Sequence, residues 1–385
     1  MSTVGQPGSD GGSGARPAGP PAAPLRVASR PPAECYDVAL LDLDGVVYLV
    51  RDPVPGAAAA LAAARDAGMR LAFVTNNASR SPDDVVALLR EVGVKADVGE
   101  VVTSAQAAGR VLAERLPAGA RVLVVGSAEL RRQVSDHGLV PVDSADDSPA
   151  GVVCGYSADV GWPQLAEAAI AAGRGAYWLA TNVDTTLPSL RGPLPGNGAL
   201  MSVITTATGL RPDVAGKPDP ALHRESVERT DARSPIVVGD RLDTDIEGAS
   251  RVGCPSMLVF SGVTTPAELI AAPAQHRPTF VAADVGGLLL DQPAVQGDAE
   301  QGWTCGRWRA EAGPESVRLA AFKATEPGAA DSDADGLDAL RVACVAHWAT
   351  SGESEERLGN PAAALVADGA PAARMLADWG LSAGQ

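Results

Sequence analysis

The sequence predicts an α/β fold: a doubly wound parallel sheet that carries an inserted α/β unit and ends in a small α+β appendage. Three observations predict it. Short apolar runs alternate with stretches of helical period, the pattern of βαβ units. A strand followed at once by acidic residues occurs near residue 40 and returns near residue 240. Beyond residue 291 the chain changes character and holds four of the six Trp.

The elements follow in order. Residues 1–34 contain six Gly and seven Pro and almost no large apolar side chain, so they read as a disordered tail. Val38–Leu41 is an apolar strand, 56–67 an Ala-rich helix stopped by Gly68, and Leu71–Val74 a second strand. Ser81-Pro82-Asp83-Asp84 is a helix start, with Ser as N-cap, Pro in the first turn and acids on the helix dipole. A second unit spans 104–206. Its strands are expected at 121–125, 151–154 and 177–180, and its helices near 127–136, 162–172 and 198–208. The first pattern resumes with strands at 235–238, 256–260 and 279–281. The expected organisation is therefore a core of 35–103 and 207–291, a cap of 104–206 and an appendage of 292–385. In the appendage, 303–308 and 316–322 alternate like paired strands and 338–348 reads as a helix.

Composition narrows the function. The net charge is −16 and the isoelectric point about 4.7, which argues against nucleic acid or an anionic membrane as partner. A small anionic substrate needs only local positive charge. Lys occurs three times (Lys95, Lys217, Lys323) against twenty-eight Arg, so a retained Lys is a candidate for a specific role. The five Cys are scattered and form no CxxC, as expected of reduced thiols in the cytoplasm. No apolar run approaches a membrane span, and the N-terminus has no signal core.

Four segments carry chemistry. Asp42-Leu43-Asp44-Gly45 follows the first strand; one carboxylate there can attack phosphorus while the other handles protons. Thr75-Asn76-Asn77 ends the second strand, and a hydroxyl with exposed N–H groups makes a phosphate cradle. Gly216-Lys217-Pro218 fixes an ammonium on a stiff loop. Gly239-Asp240-Arg241-Leu242-Asp243-Thr244-Asp245 again follows an apolar strand. In a parallel sheet all these strand ends share one edge, where ligands bind. Bringing Asp42, Asp240 and Asp245 together costs about 4 kcal/mol per like-charged pair at ~4 Å and an effective dielectric of ~20. Lys217 neutralises one charge. Mg²⁺ is the natural second cation, a hard ion that takes carboxylates and phosphate oxygens.

These four motifs, in this order and at strand ends, resemble those of the haloacid dehalogenase superfamily, and the insert between the second and third places the likeness in its NagD-type, C2-capped (IIA) branch. The resemblance covers about 36–290. It implies an Mg²⁺-dependent phosphatase with Asp42 as nucleophile, Asp44 as proton donor and acceptor, Thr75 and Asn76 (with Asn77 beside them) on the phosphoryl oxygens, and Lys217 balancing their charge. It implies Asp42, Asp240 and the carbonyl of Asp44 as metal ligands, with Asp245 ligating or orienting.

The insert is implied to be the cap that selects the leaving group. Thr181-Asn182-Val183-Asp184 and the segment around Asn197 resemble this branch's cap segments, so Asn182, Asp184 and Asn197 are candidate substrate contacts. The appendage is similar to the acetyltransferase-like tail of actinobacterial glycerol-3-phosphate phosphatases, without the Gly-rich loop an acetyl-CoA site needs. The expected substrate is glycerol 3-phosphate, then 2-phosphoglycolate or a small sugar or nucleoside monophosphate. A phosphotransferase, or a non-catalytic phosphate sensor, are the alternatives. A homodimer through the cap is expected from the same likeness.

Overall fold

A computed structural model of the protein describes residues 25, 28–187, 189, 191–313, 316–322, 335–351 and 364–381. Val38–Leu41, four buried apolar residues, lies within a six-stranded sheet. The strand order is Phe280–Ala282, Ser256–Val259, Pro235–Gly239, Val38–Leu41, Arg70–Thr75, Val101–Thr103, and every pairing is parallel. Continuous apolar runs suit such strands because helices cover both faces. Parallel pairing also sets Asp42, Thr75 and Asp240 on one edge, immediately after or at the last residue of their strands. The helix Pro82–Glu91 begins as the sequence predicts: Ser81 Oγ accepts from Asp84 N–H at 3.2 Å, and Asp84 accepts from Ser81 N–H at 3.1 Å.

The insert forms its own five-stranded parallel sheet. Its order is Asp213–Val214, Tyr177–Ala180, Gly151–Cys154, Arg121–Val125, Val140–Val142. Two features differ from expectation. The sheet reaches Val214, past the expected boundary at 206, which falls inside the helix Asn197–Thr208. The strand Val140–Val142 was hidden by its central Pro, tolerated here because the strand is an edge. Core and insert share an apolar cluster: Val38, Leu40, Val74 and Leu222 on one side meet Leu112, Val122, Leu130 and Leu179 on the other.

The C-terminal sheet runs Gln296–Asp298, Gly302–Cys305, Trp308–Ala312, Val317–Ala321, Leu365–Asp368. The first four strands are antiparallel and the last pair is parallel. The expected single strand over 303–308 is instead two strands, because Gly306 adopts φ +53° in the turn between them. The helix Asp338–Ser351 packs on this sheet, and residues 323–334 before it lie outside the described residues. Trp303, Trp308, Leu340 and Trp348 form one cluster with Leu258, Ile270 and Val281 of the core. Arg341, buried within it, donates to Asp338 at 3.2 Å and to the core carbonyl of Val281 at 3.0 Å, and pairs with Asp335.

Of the expected tail, residues 1–24, 26 and 27 lie outside the described residues. The remainder is structured. Leu25 is buried in the cluster just described, Ala28 pairs antiparallel with Gln292, and Pro32–Cys35 makes a helical turn.

Candidate active site

The strand Val38–Leu41 delivers Asp42 to the sheet edge, where its N–H donates to Val238 O at 2.8 Å. The next turn needs Gly45, which takes φ +83°; a Cβ there would lie 2.4 Å from the Asp240 carboxyl. A Cβ on Gly262 would likewise lie 2.0 Å from the same carboxyl. Two glycines thus leave room for Asp240 beside Asp42. Asp240 Oδ2 accepts from Val263 N–H at 2.8 Å, whereas Oδ1 is buried without a partner among the described residues.

Lys217 lies between these groups, 3% exposed. Its ammonium donates to Asp42 Oδ1, to Asp245 Oδ1 at 2.7 Å and to Val74 O at 3.4 Å. Asp245 reaches it because Leu242–Ile246 is a π-helical turn, with Ile246 N–H bonded to Arg241 O five residues back. Asp245 is 1% exposed and sits behind Lys217. One oxygen each from Asp42, Asp240 and Asp245 lies within 4.8 Å of the others.

The electrostatics follow from crowding. Burial works against charge on Lys217, but the carboxylates of Asp245 and Asp42 outweigh it and hold the ammonium protonated. Burial and the neighbouring Asp245 and Asp240 push Asp42 upward against the pull of Lys217. Burial first, and then Asp245, raise Asp240 to about 7. Three carboxylates against one ammonium leave the cluster short of positive charge. Its donors are hard oxygens, and one is orphaned, so the residues fit a small divalent cation.

Asp44 is exposed at the mouth of the cleft. The cleft wall raises its carboxyl, while Arg80, the N–H of Val50 and Lys217 act in the opposite direction. A proton shuttle needs such a group, accessible and held near a leaving oxygen.

Asp42, Asp44, Thr75, Asn76, Asn77, Lys217 and Asp240 line one cavity of about 480 Å³ together with Asn182, Asp184 and Asn197 from the insert. Asp245 is the exception among the expected site residues, because Lys217 screens it. Several side chains are less free than the sequence suggests. The Asn76 amide is committed to the Lys217 main chain and to Asp184, so its side chain has no group left for a phosphoryl oxygen. Asn77 Oδ1 accepts from Ser79 N–H and Oγ, both at 2.8 Å. Asn197 Nδ2 donates to Asn182 O at 2.7 Å. Arg241 also borders the cavity, as do Thr186 and Leu187, which pair with Leu194–Pro195 in a short hairpin. Sequence reasoning missed them: Arg241 has no assigned role inside its motif, and two-residue strands leave no periodic signal. In a chain where Arg supplies nearly all basic charge, an Arg directly after Asp240 was the available clue.

Residues 39–140 match the haloacid dehalogenase-like hydrolase family, and 214–288 match a HAD-hydrolase-like family. The D-glycerol 3-phosphate phosphatase of Mycobacterium tuberculosis is 48% identical over 271 residues, 70% of this chain and 76% of that one. The chain belongs to the haloacid dehalogenase-like hydrolases. The crystal structure of the M. tuberculosis glycerol phosphate phosphatase in complex with calcium superposes on this hydrolase with a TM-score of 0.83 at 41% identity, covering 92% of this chain and all of that one. The same relative has been solved with magnesium, at a TM-score of 0.80. The acid sugar phosphatase of Staphylococcus saprophyticus is 36% identical over 66% of this hydrolase but 98% of its own length. No helix among the described residues is long and apolar enough to cross a membrane.

Proposed function

We propose that this hydrolase is an Mg²⁺-dependent phosphomonoesterase whose substrate is glycerol 3-phosphate. The observation that carries the reading is the single buried Lys217 ammonium bonded to both Asp42 and Asp245 on the cavity floor, beside an Asp240 oxygen with no partner. Asp42, Asp240 and the carbonyl of Asp44 would hold Mg²⁺, with Asp245 oriented behind Lys217. When bound, the ion supplies positive charge to the phosphoryl oxygens and lets Asp42 stay ionised.

In this reading Asp42 attacks phosphorus and forms an aspartyl-phosphate. The bond to the ester oxygen breaks, and Asp44 gives that oxygen its proton. Asp44 then takes a proton from water, which attacks the same phosphorus and releases phosphate and free Asp42. Thr75 and the main-chain N–H of Asn76 cradle the phosphoryl oxygens, and Lys217 offsets their charge. Asn182, Asp184 and Asn197 face the leaving group from the insert, which acts as a cap.

Glycerol 3-phosphate is favoured because the relative named for it aligns at 48% identity, and because Asn182, Asp184 and Asn197 give the cavity polar groups on the cap side that suit hydroxyls. We assign 35–103 and 215–291 to the core, 104–214 to the cap and 292–385 to an acetyltransferase-like appendage with a structural role. We also propose a cytoplasmic location, which its five reduced Cys suit, and a homodimer through the cap. Phosphate release with Mg²⁺ over a panel of small monoesters tests the function. Glycerol 3-phosphate should rank among the best substrates, and Asp42→Asn should abolish release. Indifference to glycerol 3-phosphate would overturn the substrate; release surviving in Asp42→Asn would overturn the mechanism.

A further inference from the structure

Asn76 stands where the two connections between core and cap meet the Lys217 loop. Its Oδ1 accepts from Lys217 N–H at 2.8 Å. Its Nδ2 donates to Lys217 O at 3.2 Å and to the Asp184 carboxylate at 3.3 Å. Its main-chain carbonyl accepts from Asn182 Nδ2 at 2.7 Å and from Ser104 Oγ at 2.6 Å. Lys217 N–H can only donate, so the orientation of the amide is fixed. Both amide protons and the amide oxygen are therefore engaged.

The partners share a topology. Ser104 opens the helix that leaves the core for the cap, directly after the strand Val101–Thr103. Lys217 follows Asp213–Val214, the cap strand from which the chain returns. Asn182 and Asp184 follow the cap strand Tyr177–Ala180. Gly216 completes the junction: a Cβ there would lie 2.4 Å from Thr181 O in the cap and 2.6 Å from Asn76 Oδ1. No larger residue fits between the two.

We propose that Asn76 is a positioning residue that ties the seating of the cap to the placement of Lys217. The cap cannot swing on its two connections without breaking bonds to this residue, and the same amide grips the main chain that carries the ammonium. A displacement of about 1 Å in a charge-stabilising group suffices to cost ~100-fold in rate. The catalytic consequence rests on the proposed role of Lys217; the mechanical link does not.

The test therefore combines turnover with hydrogen exchange. Asn76→Asp keeps the volume and the acceptor for Lys217 N–H, but sets a carboxylate against Asp184 and against Lys217 O. Amide exchange of 181–185 and 213–217 should rise at least tenfold, and kcat for phosphate release should fall at least thirtyfold with KM changing less. Adding Asp184→Asn returns a donor to the pair from the other side. The double variant should recover at least fivefold in both measures relative to Asn76→Asp. Purely additive losses would overturn the proposal. So would an Asn76→Ala variant whose exchange matches wild type while competitive inhibition by inorganic phosphate weakens tenfold, since the amide would then be binding the phosphoryl group itself. Should the Asn76 variants not fold, Asp184→Ala reads the same link from the cap: faster exchange at 214–217 supports it and unchanged exchange sinks it. Exchange needs no substrate, so a wild-type chain that releases no phosphate would refute the proposed function and leave this result standing.

Discussion

Lys217 donates to Asp245 Oδ1 at 2.7 Å, with the two side chains 3% and 1% exposed. A buried pair of this kind is costly to break, because the surviving charge loses a partner that water does not replace; without Asp245, Lys217 keeps Asp42 alone. Asp245→Ala should therefore lower stability by about 3 kcal/mol and reduce turnover at least 100-fold. Lys217→Met together with Asp245→Asn should unfold at a higher denaturant concentration than Asp245→Ala, although it is equally inactive. Urea unfolding and phosphate release check both; a fully stable Asp245→Ala would count against the arrangement.

Asp240 sets a pH dependence for metal binding. Its folded value of about 7 lies above the ~3.9 of an unfolded Asp. The metal-free fold thus holds this proton more tightly than the unfolded chain does. That contribution to stability is complete below about pH 4 and is lost as pH rises through about 7. A divalent cation needs the ionised form, so affinity should fall about tenfold per pH unit below 7. Mg²⁺ should accordingly raise the melting temperature more at pH 8 than at pH 6. Equal shifts at the two values would contradict the site.

His223 works in the opposite sense. It is buried beside the Lys217 loop, both ring nitrogens lack a partner among the described residues, and burial, then Lys217, lower it to about 3. The unfolded imidazole, near 6.5, takes up a proton first as pH falls. Stability is lost below about pH 6.5, at about 1.4 kcal/mol per unit. His223→Leu should flatten this acid limb relative to wild type while folding normally at pH 7.5. Parallel stability curves for the two proteins from pH 7 to 5 would refute the assignment.

Trp162 on the cap is 76% exposed, and Ile170, Val203 and Leu210 are exposed on or just after the same two cap helices. The proposed dimer through the cap would bury such side chains. Trp162→Glu should then convert a dimer into a monomer in sedimentation velocity, leaving the secondary structure intact. A wild-type monomer at 50-fold higher concentration than the assay uses would remove the dimer altogether.

The strand ends were legible in the sequence because each apolar run stops abruptly at a polar motif, as Val38–Leu41 does at Asp42. Pairing among those strands then follows from the parallel fold. What stayed hidden depended on contacts far apart in the chain. Nothing local to Asn76 reveals that its amide will grip Lys217, 141 residues away. Nothing in the spacing to Asp245 signals the wider turn that sends its carboxylate behind Lys217. Val140–Val142 and the Thr186–Pro195 hairpin were too short, or too interrupted by Pro, to show a period of two.

The apolar cluster joining the appendage to the core has a practical meaning for anyone seeking a minimal enzyme. Cutting the chain near residue 292 would bare Leu258, Ile270 and Val281 and strip Arg341 from the carbonyl of Val281. Because Ile246 belongs to the same cluster, the wound would open directly beneath the turn that aims Asp245. The extra sheet is therefore a keystone and cannot be trimmed as cargo.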